Sequence, residues 1–240
     1  MRLTGNLNLF PTVVLLGAFV IPVTFVTYFY DHVRHREISL PTLTTCFIVG
    51  GVVGLIFAGV VEFGTLQTVS FGGLVTVSVV EEFAKLLFPF LLYLRWRYHH
   101  EADGLLFGMA AGMGFAALET MGYAMSSFIE SRGDISVLQQ VLLIRGFLSP
   151  AGHAAWTGFV CALLWRERER TGEVTVNGKI IGAFLLVVVL HTLWNLTNTI
   201  PTHTNLEITF NILMNIVIAA ASLVLILRRY VAARRATPAA

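Results

Sequence analysis

The chain has 240 residues, of which 56% are hydrophobic and 12% charged, and its mean hydropathy is +0.76. Soluble domains carry about 25% charged residues, so this composition excludes an ordinary water-soluble protein and fits a single membrane domain spanning 1–240, with no room for a large soluble domain beside it. The net charge is only +2, and the basic residues sit in loops and at the C-terminus without a basic stripe, which argues against a nucleic-acid partner.

A helix needs roughly 20 apolar residues to cross a bilayer. In chain order, seven segments qualify or nearly do: Leu9–Tyr30, Leu43–Glu62, Phe71–Leu94, Gly104–Phe128, Pro150–Trp165, Lys179–Thr199 and Glu207–Arg229. The fold expected is therefore all-α, a polytopic membrane protein of about seven transmembrane helices. The first segment lacks a cleavable signal pattern and reads as a retained helix. The fifth is short, and the apolar run Val137–Gly146 before it reads either as an interfacial or re-entrant helix or as the first half of a Pro-broken span. The tail after Arg229 reads as frayed and solvated. Cys46 and Cys161 both lie in apolar segments and read as packing residues outside any disulfide framework.

Loop charge supports this count. With the N-terminus outside, one side of the membrane holds Arg34, Arg36, Arg95, Arg97, Arg166, Arg168, Arg170, Lys179, Arg228, Arg229, Arg234 and Arg235. The other side holds Arg2, Arg132 and Arg145, and Lys85 falls inside a span. Twelve against three fits seven crossings with the N-terminus out and the C-terminus in the cytoplasm.

Few ionisable groups lie within the spans away from their ends: Glu81, Glu82 and Lys85 on the third, Glu119 on the fourth, His153 on the fifth and His191 on the sixth. A charge at mid-bilayer costs about 2.5–3.5 kcal/mol on insertion scales, so these groups are expected to converge and satisfy one another. A rise of about 1.5 Å per residue puts Glu81 roughly 15 Å below the outer surface. Glu119 and His191 fall at similar depth, and His153 near the outer start of its span. Glu81 and Lys85 share a helix face at i,i+4 spacing, with Glu82 reaching Lys85 from the other side. His191 and Asn195 also share a face. Gly104, Gly108, Gly112, Ala116 and Thr120 form a small-residue stripe that lets helices approach closely.

Singly, each feature has a plainer reading. Glu82 and Lys85 suit a structural ion pair, His153 a structural histidine, and Asn195 a helix–helix hydrogen bond. Trp156, Trp194 and Tyr123 read as wall and packing residues, Glu167 and Glu169 as a solvated charge run, and Glu62 as interfacial. None of these readings explains three carboxylates and two histidines in one membrane layer.

Taken together, the motifs resemble the PrsW family of intramembrane proteases. Val80-Glu81-Glu82-Phe83-Ala84-Lys85 resembles its EExxK motif. Asp103 to Gly108 followed by Gly114 to Glu119 resembles the second motif, Arg145 to Gly158 the third, and Leu190 to Asn195 the fourth. The four occur in order within residues 78–198. Where the family usually has Asn after the second-motif glutamate, this chain has Thr120, whose hydroxyl still hydrogen-bonds. The resemblance implies hydrolysis of a peptide bond in a membrane-anchored protein substrate by a multi-pass protein of the plasma or inner membrane, embedded in the lipid bilayer. It also implies regulated proteolysis of anti-sigma-factor type during envelope stress. The family is similar in turn to the CAAX prenyl proteases.

Hydrolysis needs an activated water and a stabiliser for the tetrahedral oxyanion. Glu81 is the expected general base, kept ionised by Lys85, with Glu82 orienting Lys85. In a metal version Glu119, His153 and His191 bind Zn²⁺, and Asn195 hydrogen-bonds a ligand or the oxyanion. In a metal-free version Glu81 with Glu119 or His153 activates water, and His191 with Asn195 forms the oxyanion hole. Buried Glu and His residues also suit a proton-relaying transporter. That class predicts inverted repeats with broken helices in both halves, and no repeat is evident in the sequence. A non-catalytic seven-helix receptor or scaffold would tolerate Glu81→Gln.

Overall fold

A computed structural model describes residues 7–33, 38–65, 70–95, 97–199 and 204–236. Among these, the chain forms eight α-helices: α1 (Phe10–Val33), α2 (Leu40–Thr65), α3 (Phe71–Leu94), α4 (Glu101–Glu130), α5 (Ile135–Leu148), α6 (His153–Thr171), α7 (Gly178–Thr199) and α8 (Asn205–Ala236). Six segments are long and apolar enough to cross a membrane: α1, α2, α4, the joined stretch Ile135–Thr171, α7 and α8. With 24 residues, α3 is as long as α1, but carries Glu81, Glu82 and Lys85 near its middle. The protein is therefore an all-α, polytopic membrane protein. The loop residues Arg2, Arg34 and Arg36 lie outside the described residues.

The fourth helix is the centre of the bundle. Every residue of α4 from Glu101 to Ala117 is buried, because α6, α2, α1 and α5 all pack around it. Its small-residue stripe makes this possible. A methyl group added at Gly104, Gly108 or Gly112 would run into the carbonyl oxygens of Cys161, Thr157 and His153 on α6. Across the helix, one at Gly114 would run into the carbonyl oxygen of Phe47 on α2. Without Cβ atoms at these positions the backbones meet directly, which replaces the hydrophobic driving force that lipid cannot supply.

The fifth crossing is a broken one. α5 is a 14-residue helix capped by the Asp134 carboxylate, which accepts from the Ser136 amide. It ends in a 3₁₀ turn at Ser149–Ala151, and Gly152 (φ −103°, ψ −91°) redirects the chain into α6. Pro150 has no amide hydrogen to continue α5, so the break falls there. α5 packs on the outer part of α4 and on α1, where Leu138 and Leu142 meet Val14, Ala18 and Ala124. α6 then continues down the Gly112–Gly108–Gly104 face. Of the two expectations for Val137–Gly146, the broken span is the one observed. His153 is consequently the first residue of α6, in the middle of the crossing, and not near the outer start of a span.

Two further expectations change. The tail after Arg229 continues as helix to Ala236, with Tyr230 edge-on against Phe29 of α1 (centroids 5.1 Å) and Ala233 buried, because α1 offers it an apolar surface. Residues 237–240 lie outside the described set. Glu167 is buried, taking ion pairs from Arg170 (2.9 Å) and Lys179 (3.2 Å) and a hydrogen bond from Asn177 (2.8 Å), so it is a junction and not a solvated run. At the same end of the bundle Glu101 pairs with Arg229 of α8 (3.2 Å), the Trp165 indole donates to the Tyr98 carbonyl (3.0 Å), and the Arg168 guanidinium donates to the Tyr93 carbonyl. These bonds tie together the ends of α3, α6 and α8 and the starts of α4 and α7. That shared end is what alternating crossings require.

Candidate active site

The third helix supplies the buried charges. Lys85 is fully buried, and its ammonium lies 2.8 Å from Glu82 Oε1, 3.5 Å from Glu81 Oε2 and 4.6 Å from the centre of the Phe115 ring. Spacings of three and four residues put both carboxylates within reach of one ammonium on neighbouring strips of the helix. From α7, His191 crosses to the same group. Its Nδ1 is 2.8 Å from Glu82 Oε1 and its Nε2 3.7 Å from Glu81 Oε2. The Trp156 indole stacks on the His191 ring at 4.9 Å and donates to Ser222 of α8 (2.8 Å). His191 is thus fixed on three sides.

A second group stands beside the first. On α4, Glu119 Oε2 lies 2.7 Å from Arg145 Nη2 of α5 and 3.2 Å from His153 Nε2 at the start of α6. The Arg145 guanidinium also covers the Tyr123 ring at 4.1 Å. The break between α5 and α6 makes this possible: it points the last turn of α5 and the first residue of α6 at one carboxylate. The His153 and His191 rings stand edge to face, with centroids 6.2 Å apart, and join the two groups.

Both groups border a cavity of about 400 Å³. Glu81, Glu119, His153, His191 and Asn195 line it, whereas Glu82 and Lys85 stand behind it. The structure thus separates the two adjacent glutamates: Glu81 faces the cavity, and Glu82 holds Lys85 and His191. Asn195, one turn along α7 from His191, joins the wall together with Trp194 and Asn198.

The cavity includes two charged residues that sequence reasoning did not assign to a site. Glu62 of α2 lines it, and its Oε1 is buried without a hydrogen-bond partner among the described residues. The signal was the spacing Gly51, Gly54, Ala58, Glu62, which continues on one face the contact of α2 with Gly114, Phe115 and Ala84. Arg145 is the other, and it opens the third motif.

The donor types suit a cation. Four carboxyl groups (Glu62, Glu81, Glu82, Glu119) stand against two basic side chains (Lys85, Arg145), so the acidic groups outnumber the basic ones by two. Glu62 Oε1, Glu81 Oε2 and His153 Nδ1 are buried and lack hydrogen bonds among the described residues. In charge and chemistry this set fits a divalent ion bound by imidazole and carboxylate. The expected trio is only partly gathered, however. Glu119 and His153 meet, but both nitrogens of His191 are turned to Glu81 and Glu82. Among the described residues no three His, Cys, Asp or Glu side chains are grouped closely enough to hold one ion in the positions shown.

Residues 38–226 match the family model described as PrsW family intramembrane metalloprotease. No curated protein and no solved structure gives a significant match.

Proposed function

Since the chain belongs to the PrsW family of intramembrane metalloproteases, we propose that its cavity hydrolyses a peptide bond in a membrane-anchored protein, with Glu81 as the base. The observation that carries this reading is the convergence of Glu81, Glu119, His153, His191 and Asn195, from α3, α4, α6 and α7, on one cavity. Glu81 takes a proton from water as the oxygen attacks the scissile carbonyl carbon, and the carbonyl π electrons move onto its oxygen. The same proton then passes to the leaving nitrogen as the C–N bond breaks, giving a carboxyl and an amine. Lys85 and Glu82 hold Glu81 and His191 in position and touch no substrate.

Glu119, His153 and His191 would hold the metal, for which Zn²⁺ is the choice that suits two imidazoles and a carboxylate. Bound there, zinc would acidify a water and polarise the carbonyl. A specific observation supports a second arrangement of the same residues. Protonated on both nitrogens between Glu81 and Glu82, His191 would donate Nδ1–H to Glu82 and Nε2–H into the cavity, joining Asn195 in stabilising the oxyanion, while Glu81 with Glu119 or His153 activates water.

The charge bias of the loops supports N-terminus out and C-terminus in, in the plasma or inner membrane. On that orientation the cavity opens toward the outer half of the bilayer. Cleavage near the extracytoplasmic end of an anti-sigma-factor-like substrate follows, with the whole chain acting as one transmembrane protease domain. The test is a single-span reporter reconstituted with wild-type protein and with Glu81→Gln. Wild type cuts it in its outer half, and the variant folds but loses at least about 100-fold in turnover. Cuts confined to the cytoplasmic face, or turnover retained in Glu81→Gln, sink the reading.

A further inference from the structure

Resting on this reading, we propose that Arg145 is a further catalytic residue: its guanidinium binds the scissile carbonyl oxygen of the substrate and stabilises the negative charge that develops there. Among the described residues lining the cavity, Arg145 is the one Lys or Arg side chain. Lys85, the other cation of the cluster, stands behind the wall with its ammonium committed to Glu81 and Glu82. Of the protein's own cationic side chains among the described residues, Arg145 is therefore the one that faces the charge that forms when water adds to a carbonyl in the cavity.

The chemistry of the side chain agrees. A guanidinium offers five N–H donors in a planar fork and holds two acceptors on separate edges. Nη2 engages Glu119 at 2.7 Å, and the plane lies over Tyr123. Nε is buried and without a hydrogen-bond partner among the described residues. The Glu119 carboxylate has a second neighbour in His153 at 3.2 Å, so the Nη2 contact does not use up the fork.

The placement agrees too. Arg145 sits in the last turn of α5, whose packing partners are α1, α4 and the turn that follows it. α5 ends at the break that starts α6, so its end brings Ile144, Arg145 and Leu148 into the cavity wall just before Ser149 and Gly152. An oxyanion placed there would meet Arg145 on one side and the Asn195 amide on the other.

The experiment compares full-length wild type, Arg145→Lys and Arg145→Gln on the same reporter, with thermal unfolding and bound-metal content measured in parallel. Removing one oxyanion donor costs about 10²–10³ in kcat, and that loss is expected for Arg145→Gln with KM changed less than about threefold. Arg145→Lys keeps a positive charge for Glu119 but lacks the fork, so it should fold as wild type and still lose about tenfold or more in kcat. Wild-type kcat in Arg145→Lys overturns the proposal, since a structural counter-ion survives that change. A rise in KM at constant kcat overturns it as well. A wild-type chain that cuts no membrane reporter overturns the proteolytic reading and this inference together.

Discussion

Histidine 191 on α7 and Glu82 on α3 share a 2.8 Å contact through Nδ1 and Oε1, and the same carboxylate oxygen receives the Lys85 ammonium at 2.8 Å. Glu82 is therefore the joint between the two helices that flank the cavity, although it does not itself face the cavity. Losing it affects folding before chemistry.

Glu82→Gln should destabilise the protein by about 3–5 kcal/mol, because it leaves Lys85 buried with only the longer contact to Glu81. Glu81→Gln should cost less, since Lys85 and His191 keep their closer partner. Thermal unfolding in one detergent ranks the two. A Glu82→Gln protein as stable as wild type would remove Glu82 from this structural role. Adding Lys85→Met to Glu82→Gln should recover part of the loss, because the orphaned charge is gone.

The α4–α6 contact predicts a sharp contrast between glycines. Gly108→Val should destabilise by about 1–3 kcal/mol or more, since its Cβ would stand 2.8 Å from the Cβ of Cys161 and the Cα of Gly158. Gly59→Val on α2, where nothing lies within 4 Å, should stay within about 0.5 kcal/mol of wild type. Equal effects at the two sites would refute direct backbone packing.

Metal content offers a readout independent of turnover. Elemental analysis of purified protein should give one zinc per chain, lost in His153→Ala and in His191→Ala. Glu62→Gln should retain the ion but bind it about 10–100-fold more weakly, the usual cost of altering a carboxylate around a metal site. Zinc that persists unchanged in His191→Ala favours the arrangement in which His191 serves the oxyanion.

The polytopic plan and the meeting of the polar groups were legible because both arise from local rules, while seven expected spans became six because Glu81, Glu82 and Lys85 all fall within α3. Crossing a bilayer demands a long apolar run, and i,i+4 spacing puts Glu81 with Lys85 whatever the neighbours do. The break at Pro150 was half legible: a proline marks where a helix stops, but only packing on α4 shows that α5 and α6 share one crossing. Glu62 read as interfacial because it closes the apolar run Leu43–Glu62; the Gly51, Gly54, Ala58, Glu62 spacing marks the face it shares, but not the cavity which that face meets. The turn of His191 toward α3 is a side-chain choice between two acidic partners, which spacing along α7 does not encode. Glu167 read as solvated because its partners Asn177 and Lys179 arrive from beyond a turn.

One end of the bundle is clasped by Glu101, Glu167, Arg168 and Arg229, while the other holds a cavity bordered by a half-length helix. Mechanically this is a pair of tongs. The handles are held by ion pairs, while at the jaws the ion pair of Glu119 with Arg145 joins α4 to α5 and the hydrogen bonds of Thr197 and Asn198 to Asn215 join α7 to α8. The clasp fixes the register of α3, α4, α6, α7 and α8 at one end. Glu81 and His191 sit between the two ends, the first held by Lys85 and the second by Glu82.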